Sequence, residues 1–141
     1  MIAIYHFRHT VTPEEIDQLG HAGNIHYVRW MQDAAVAHSE ALGWPLERFL
    51  VLGAGWVVRS HQVTYLRQAL EREVIEVKTW VADMRRSTSR RKYEIRNAAG
   101  DVLARAETDW AFIDYAQQRP VRVPPEVADC FPVVSEVPPF G

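Results

Sequence analysis

Apolar and polar residues alternate along this chain with two periods, and the period changes twice. Residues 2–9 are rich in β-branched and aromatic side chains and predict a strand. A polar stretch with Pro13 and two glycines follows, over residues 10–24. From about Asn24 the period lengthens. Tyr27, Val28, Met31, Ala34, Ala35, His38, Ala41 and Leu42 fall on one stripe at spacings of three and four, which predicts a long helix. Gly43 and Pro45 are its stop signals. Alanines at 34, 35, 37 and 41 make the helix thin enough for a sheet to wrap closely around it.

Four more strands are predicted, over residues 56–66, 73–82, 88–97 and 102–113. In the third, Arg90, Lys92, Glu94 and Arg96 share one face and Tyr93 and Ile95 the other. The joint at residues 97–101, with Gly100, is a hairpin turn. Clean alternation suits antiparallel pairing with one wet face. The expected architecture is α+β: a five-stranded antiparallel sheet on one long helix. Six of eight prolines fall between Pro120 and Pro139, so residues 126–141 are expected to form an extended, helix-free tail after a single domain over residues 1–125.

Composition narrows the function. The 141 residues are 48% apolar and 24% charged, a globular mixture. A formal net charge of −2 gives no basic excess for nucleic acid. The longest apolar run, residues 49–58, is too short to span a bilayer, and the first ten residues lack a signal-peptide layout. Cys130 is the one cysteine, which excludes an internal disulfide and a multi-cysteine zinc site. A cytoplasmic protein without membrane, metal or cofactor is the expectation.

The chemistry concentrates before the helix, in Asp17-Gln-Leu-Gly20-His21-Ala-Gly23-Asn24-Ile-His26-Tyr27. A helix start carries unpaired N–H groups and partial positive charge. It can polarise a carbonyl and hold an oxyanion, while a nearby carboxylate acts as nucleophile or general base. Asp, Asn and Gly are also ordinary helix-start residues, so a purely structural role stays open. His38, on the helix stripe, reads as a core histidine, and His61 as a structural one. There is no Gly-x-Ser-x-Gly elbow and no metal-ligand spacing.

Asp-x-x-Gly-His-x-x-Asn-x-x-Tyr, with Arg29-Trp30 after it and the later run from Phe112-Ile113-Asp114 to Val123-Pro124, resembles hot-dog-fold acyl-CoA thioesterases of the 4-hydroxybenzoyl-CoA thioesterase-like group. The resemblance implies a sheet curled around the helix. It also implies dimers or tetramers built by meeting sheet edges, with sites at the interface. By position, Asp17 matches the catalytic carboxylate, the backbone N–H near Asn24 the thioester-polarising donor, and Gly20 the loop glycine. Tyr27 is expected beneath the site, with His21 and His26 flanking it. Many members have asparagine where this chain has Gly23. The activity implied is hydrolysis of an acyl-CoA thioester, with coenzyme A only as part of the substrate. A carrier-protein thioesterase or a non-catalytic acyl-CoA-binding module are the alternatives.

Arg85, Arg86, Arg90, Arg91, Lys92 and Arg96 crowd into twelve positions around Ser87, Thr88 and Ser89. Guanidinium forks suit phosphate. Arg85, Arg86, Arg90 and Arg91 are therefore the expected cradle for the coenzyme A phosphates.

Overall fold

The computed structural model describes residues 1–135. Strand β1 (Ile4–Thr10) leads through a short 3-10 turn at Pro13–Glu15 to α1 (Asn24–Ala41), then α2 (Leu46–Leu52). Strands β2 (Ala54–Tyr65), β3 (Val74–Met84), β4 (Thr88–Asn97) and β5 (Val102–Asp114) follow. The two-residue strand β6 (Arg119–Pro120) and helix α3 (Pro125–Ala128) complete the described chain. The sheet is antiparallel in the order β1-β3-β4-β5-β2, with β6 pairing β5. The five predicted strands and the long helix are all present; β6 is a sixth strand that the alternation does not announce.

Helix α1 buries Tyr27, Trp30, Met31, Ala34, Ala35 and His38 against the inner face of the sheet. The small alanines allow the close approach expected of them. Ile75, Val77, Tyr93, Ile95, Leu103 and Ala104 form the opposing wall. The outer face of the sheet pairs charges across strands: Glu76 opposes Arg96, Lys78 opposes Glu94, Glu94 opposes Arg105 and Arg90 opposes Asp109.

One element goes unannounced and one expectation fails, each for an identifiable reason. Residues 46–52, to which the pattern assigns no element, form helix α2. Gly53, at φ 80°, closes that helix in a left-handed conformation that releases the chain into the strand. The C-terminal segment is not helix-free either. Pro124 and Pro125 sit at the N-cap and first turn of α3, where proline's fixed φ favours a helix start. Val127 and Phe131 are buried in a second apolar cluster with Trp44, Phe49 and Phe112. The expectations for residues 136–141 lie outside the described residues.

His38 is fully buried and stacks on Tyr5 at 5.4 Å. Its Nε2–H donates to the Ile2 carbonyl at 2.7 Å, and its Nδ1 accepts from Arg91 Nη1 at 2.9 Å. Only the neutral ring serves both bonds. Burial, with the Arg91 charge added, pushes its pKa down to about 4, against an opposing pull from the Ile2 carbonyl. The folded state therefore stays neutral where the unfolded imidazole, near pH 6.5, takes a proton. Stability present above pH 6.5 falls as the pH drops toward 4, by on the order of 3 kcal/mol in all. Urea unfolding at pH 7, 5.5 and 4.5 should show this slope, and His38→Gln should be less stable at pH 7 with the slope largely removed.

Candidate active site

The loop before α1 is a small hairpin. Ile16 and Ala22 form an antiparallel bridge, and Asp17 N–H donates to the His21 carbonyl at 2.9 Å. Gly20 N–H closes the turn onto the Asp17 carbonyl at 3.1 Å. Gly20 has φ 86°, so a turn of this shape favours glycine there. One Asp17 carboxylate oxygen accepts from Leu19 N–H at 2.9 Å; the other lies 3.8 Å from His21 Nδ1. The Asp17 side chain is 40% exposed. Asp17 thus faces His21, three residues ahead of the first helical residue.

The helix start is left open. Gly23 is the N-cap, and no side chain caps the helix. Gly23 N–H is taken by the Glu15 carbonyl and Ala22 N–H by the Ala69 carbonyl. The His26 N–H bonds the Gly23 carbonyl. The amides of Asn24 and Ile25 occupy the first helical positions, where no intrahelical acceptor exists. A β-carbon at Gly23 would meet His26 Cδ2 at an ordinary 3.5 Å, so sterics alone do not require glycine. Its effect is chemical: it offers no oxygen to compete for those amides. His26 is half-buried beside this position. Tyr27 is buried below it, accepting from Ala69 N–H at 2.9 Å and packing on Trp30 and Tyr65. Tyr65 Oη–H donates to the Asn24 carbonyl, tying the end of β2 to the helix start.

Sequence reasoning missed Glu15, the residue that fixes this loop. Its carboxylate accepts from Thr12 N–H at 2.8 Å, His9 Nε2 at 2.7 Å and Trp30 Nε1 at 2.7 Å. One side chain therefore joins β1, the 3-10 turn and α1. Burial alone would raise its pKa, but the bonds from Thr12, His9 and Trp30, with the His9 charge, outweigh that and hold it at about 2. The Thr12-x-x-Glu15 spacing of a capping box was the signal available in the sequence.

The arginine cluster divides. Arg85 and Arg86 are exposed in the β3–β4 turn, Arg85 lying 3.4 Å from Asp83. Arg90 points to the outer face and pairs with Asp109 at 3.3 Å. Arg91 points inward, is 5% exposed, and bonds His38 and Thr79. Alternation along β4 separates neighbours 90 and 91 to opposite faces, so the four do not form one cradle. Arg85 and Arg86 are the two that stay exposed, Arg85 held beside Asp83 and Arg86 without an ion pair among the described residues. Val123 N–H donates to the Arg86 carbonyl, which brings Arg122 close to the same turn.

Within one chain these arginines and the helix start do not meet. Val74, at one end of β3, lies by the loop that precedes α1, and Met84, at the other end, adjoins the arginine turn. Ten strand steps separate the two by roughly 33 Å. An apolar cavity of about 150 Å³ lies at the arginine end, between α1, α2 and the sheet, and a wider polar one of about 510 Å³ lies on the outer face. Neither is lined by Asp17, Asn24 or His26. Among the described residues no cluster of His, Cys, Asp or Glu could hold a metal ion, and no helix is long and apolar enough to cross a membrane.

A sheet curled on one helix, with an acid-bearing hairpin at an uncapped helix start, defines a class. The chain belongs to the thioesterase-like superfamily, matched over residues 11–131. It is 29% identical over 107 residues to a chloroplastic palmitoyl-acyl carrier protein thioesterase of Gossypium hirsutum, covering 69% of this chain and 25% of that protein. Against the protein of the same description from Cuphea hookeriana it is 33% identical over 73 residues, 51% of this chain and 18% of that one. The chain thus spans a quarter or less of the length of these curated relatives. Its fold is that of the DHNA-CoA thioesterase from Staphylococcus aureus, with TM-score 0.85, 23% identity, and 92% and 89% of the two chains covered.

Glu15→Gln should lower stability by about 1–3 kcal/mol, because a half-buried ionised acceptor of several bonds is replaced by a neutral one. Since its folded pKa is depressed, the Glu15 contribution is complete above pH 4.5 and is lost as the pH falls toward 2. Thermal unfolding of both proteins at pH 7 and pH 3 should show a smaller gap at the lower pH.

Proposed function

We propose that this chain hydrolyses an acyl-CoA thioester to the free acid and coenzyme A. The observation that carries the reading is an exposed carboxylate, Asp17, on the short hairpin that leads directly into a helix start with the uncapped amides of Asn24 and Ile25. The thioester carbonyl oxygen would accept from these amides, where the helix field stabilises developing negative charge. Asp17 would attack the carbonyl carbon or take a proton from water; its partial exposure keeps it accessible. Gly20 shapes the turn, Tyr27 supports the helix start from below, and His21 and His26 line its approach. Arg85 and Arg86 would meet the phosphates of the nucleotide.

The reading calls for a homodimer, because the helix start and the arginine turn lie at opposite ends of one sheet. Strand β2 is the longer of the two edge strands, twelve residues against seven in β1, and an edge of that length is a ready template for pairing. Antiparallel pairing of β2 with its copy about a two-fold axis sets the Tyr65 end of one chain beside the Ala54 end of the other. The exposed Leu19, Ile25 and Leu66 at the helix-start end would then face the exposed Leu46, Leu50 and Val51 of α2. The partner's arginine turn would lie near the helix start.

Asp17→Asn should lower kcat by roughly 10²-fold or more with the circular dichroism spectrum unchanged. Thiol release at the unmodified rate would remove Asp17 from the mechanism. Replacing Arg85 and Arg86 with Ala should raise KM for acyl-CoA more than for a short thioester without the nucleotide. Mixing that double variant with Asp17→Asn, unfolding and refolding them together, should restore about a quarter of the unmodified activity, since half the dimers are mixed and each holds one intact site. Mixtures no more active than their components would place both groups in the same chain. Activity on acyl-carrier protein but not on acyl-CoA would shift the substrate to the carrier-bound form.

A further inference from the structure

Arg91 is a buried cation without an acid. It is 5% exposed, and the groups around it are neutral: the His38 ring and the Thr79 hydroxyl, both bonded by Nη1. The Nε and Nη2 groups have no hydrogen-bond partner among the described residues. Buried charges are ordinarily paired, because leaving one unpaired is costly. Arg91 also lines the apolar cavity of about 150 Å³ between α1, α2 and the sheet.

The other polar groups of that cavity are two serine hydroxyls that already donate, the indole N–H groups of Trp44, Trp56 and Trp110, and the Tyr115 hydroxyl. Ser39 Oγ–H donates to the Trp44 carbonyl, and Ser89 Oγ–H to the Asp83 carbonyl. The Trp44 indole N–H is buried with no acceptor, on a side chain only 2% exposed. Phe49, Trp56, Val81 and Phe131 supply apolar walls. No carboxylate lines the cavity. It therefore presents unpaired donors, one of them charged, and aromatic surface. An apolar cavity of this order elsewhere accommodates one benzene ring.

We propose that this cavity is a binding site for a ring-sized organic acid, its carboxylate taken by Arg91 and its apolar body held by the aromatic wall. A carboxylate completes the two-pronged geometry a guanidinium favours, and supplies the missing counter-charge. The site lies about 16 Å along α1 from the helix start, at Ala35 rather than Asn24. It does not depend on thioester hydrolysis by this chain, since free acids probe it directly. The acid could be a free ligand or the far end of an acyl group; the recognising chemistry is the same.

The test compares benzoate with benzamide, nearly equal in shape and different in charge, by titrating the unmodified protein and following the fluorescence of Trp44 and Trp56. Benzoate should bind at least about tenfold more tightly, the scale of one charge-assisted contact. In Arg91→Met the preference should vanish while any binding of benzamide persists; Arg91→Lys should retain part of it. Equal affinities in the unmodified protein, or no saturable signal from benzoate, overturn the proposal without any variant having to fold. Competitive inhibition of thioester hydrolysis by benzoate assigns the site to the acyl end of the substrate, and non-competitive inhibition assigns it to a separate acid.

Discussion

The Glu15 carboxylate is the junction on which the rest of the arrangement depends. It is one negative group receiving Thr12, His9 and Trp30, so three elements distant in sequence share one acceptor. Its backbone carbonyl takes the Gly23 N–H. That last bond removes Gly23 from competition and fixes where the helix begins. Once the loop is held in this way, the chain needs no side-chain cap. The next two amides remain free to act on something outside the chain. A helix that capped itself with Ser or Asp would be more stable alone and less able to polarise a carbonyl.

Much of this was legible beforehand, and the reason is periodicity. The strand over residues 88–97 was read to its exact ends, and the helix to within a residue, because each buries one face against a partner with a different period. The legible part of the candidate site was the contiguous segment from Asp17 to Tyr27, where local order in sequence is local order in space. Glu15 was missed because its partners lie at residues 9, 12 and 30, and only one of them, Thr12, forms a recognisable local spacing. Helix α2 went unannounced because seven residues are too few to display a helical period. The tail was misread because proline was weighed as a helix breaker, when at the first turn it is a starter.

Arg91 shows the same lesson within a single strand. Grouped by composition it belonged with Arg85, Arg86 and Arg90; grouped by alternation it belonged with Tyr93 and Ile95, on the buried face. Alternation wins because a strand has only two faces, and a neighbour's charge cannot change which one a residue occupies. The phosphate-facing reading then contracts to the two turn arginines, which are free of the pleat.

That contraction sharpens the case for two chains. With Arg90 on Asp109 and Arg91 on His38, the exposed turn arginines, Arg85 beside Asp83 and Arg86, stand at the far end of the sheet from the amides they would serve. No side chain spans roughly 33 Å, and α1 holds that separation rigidly by crossing the sheet interior. A substrate with phosphates at one end and a thioester at the other would need both groups on one surface. The proposed two-fold axis through β2 would supply that surface by reversing one sheet against the other. It would do so with exposed apolar residues at both ends of the contact, whose burial would add hydrophobic stabilisation to the strand pairing. In such a dimer the unpaired edge, the divided arginines and the uncapped helix would be three aspects of one half, each accounted for by the same second copy.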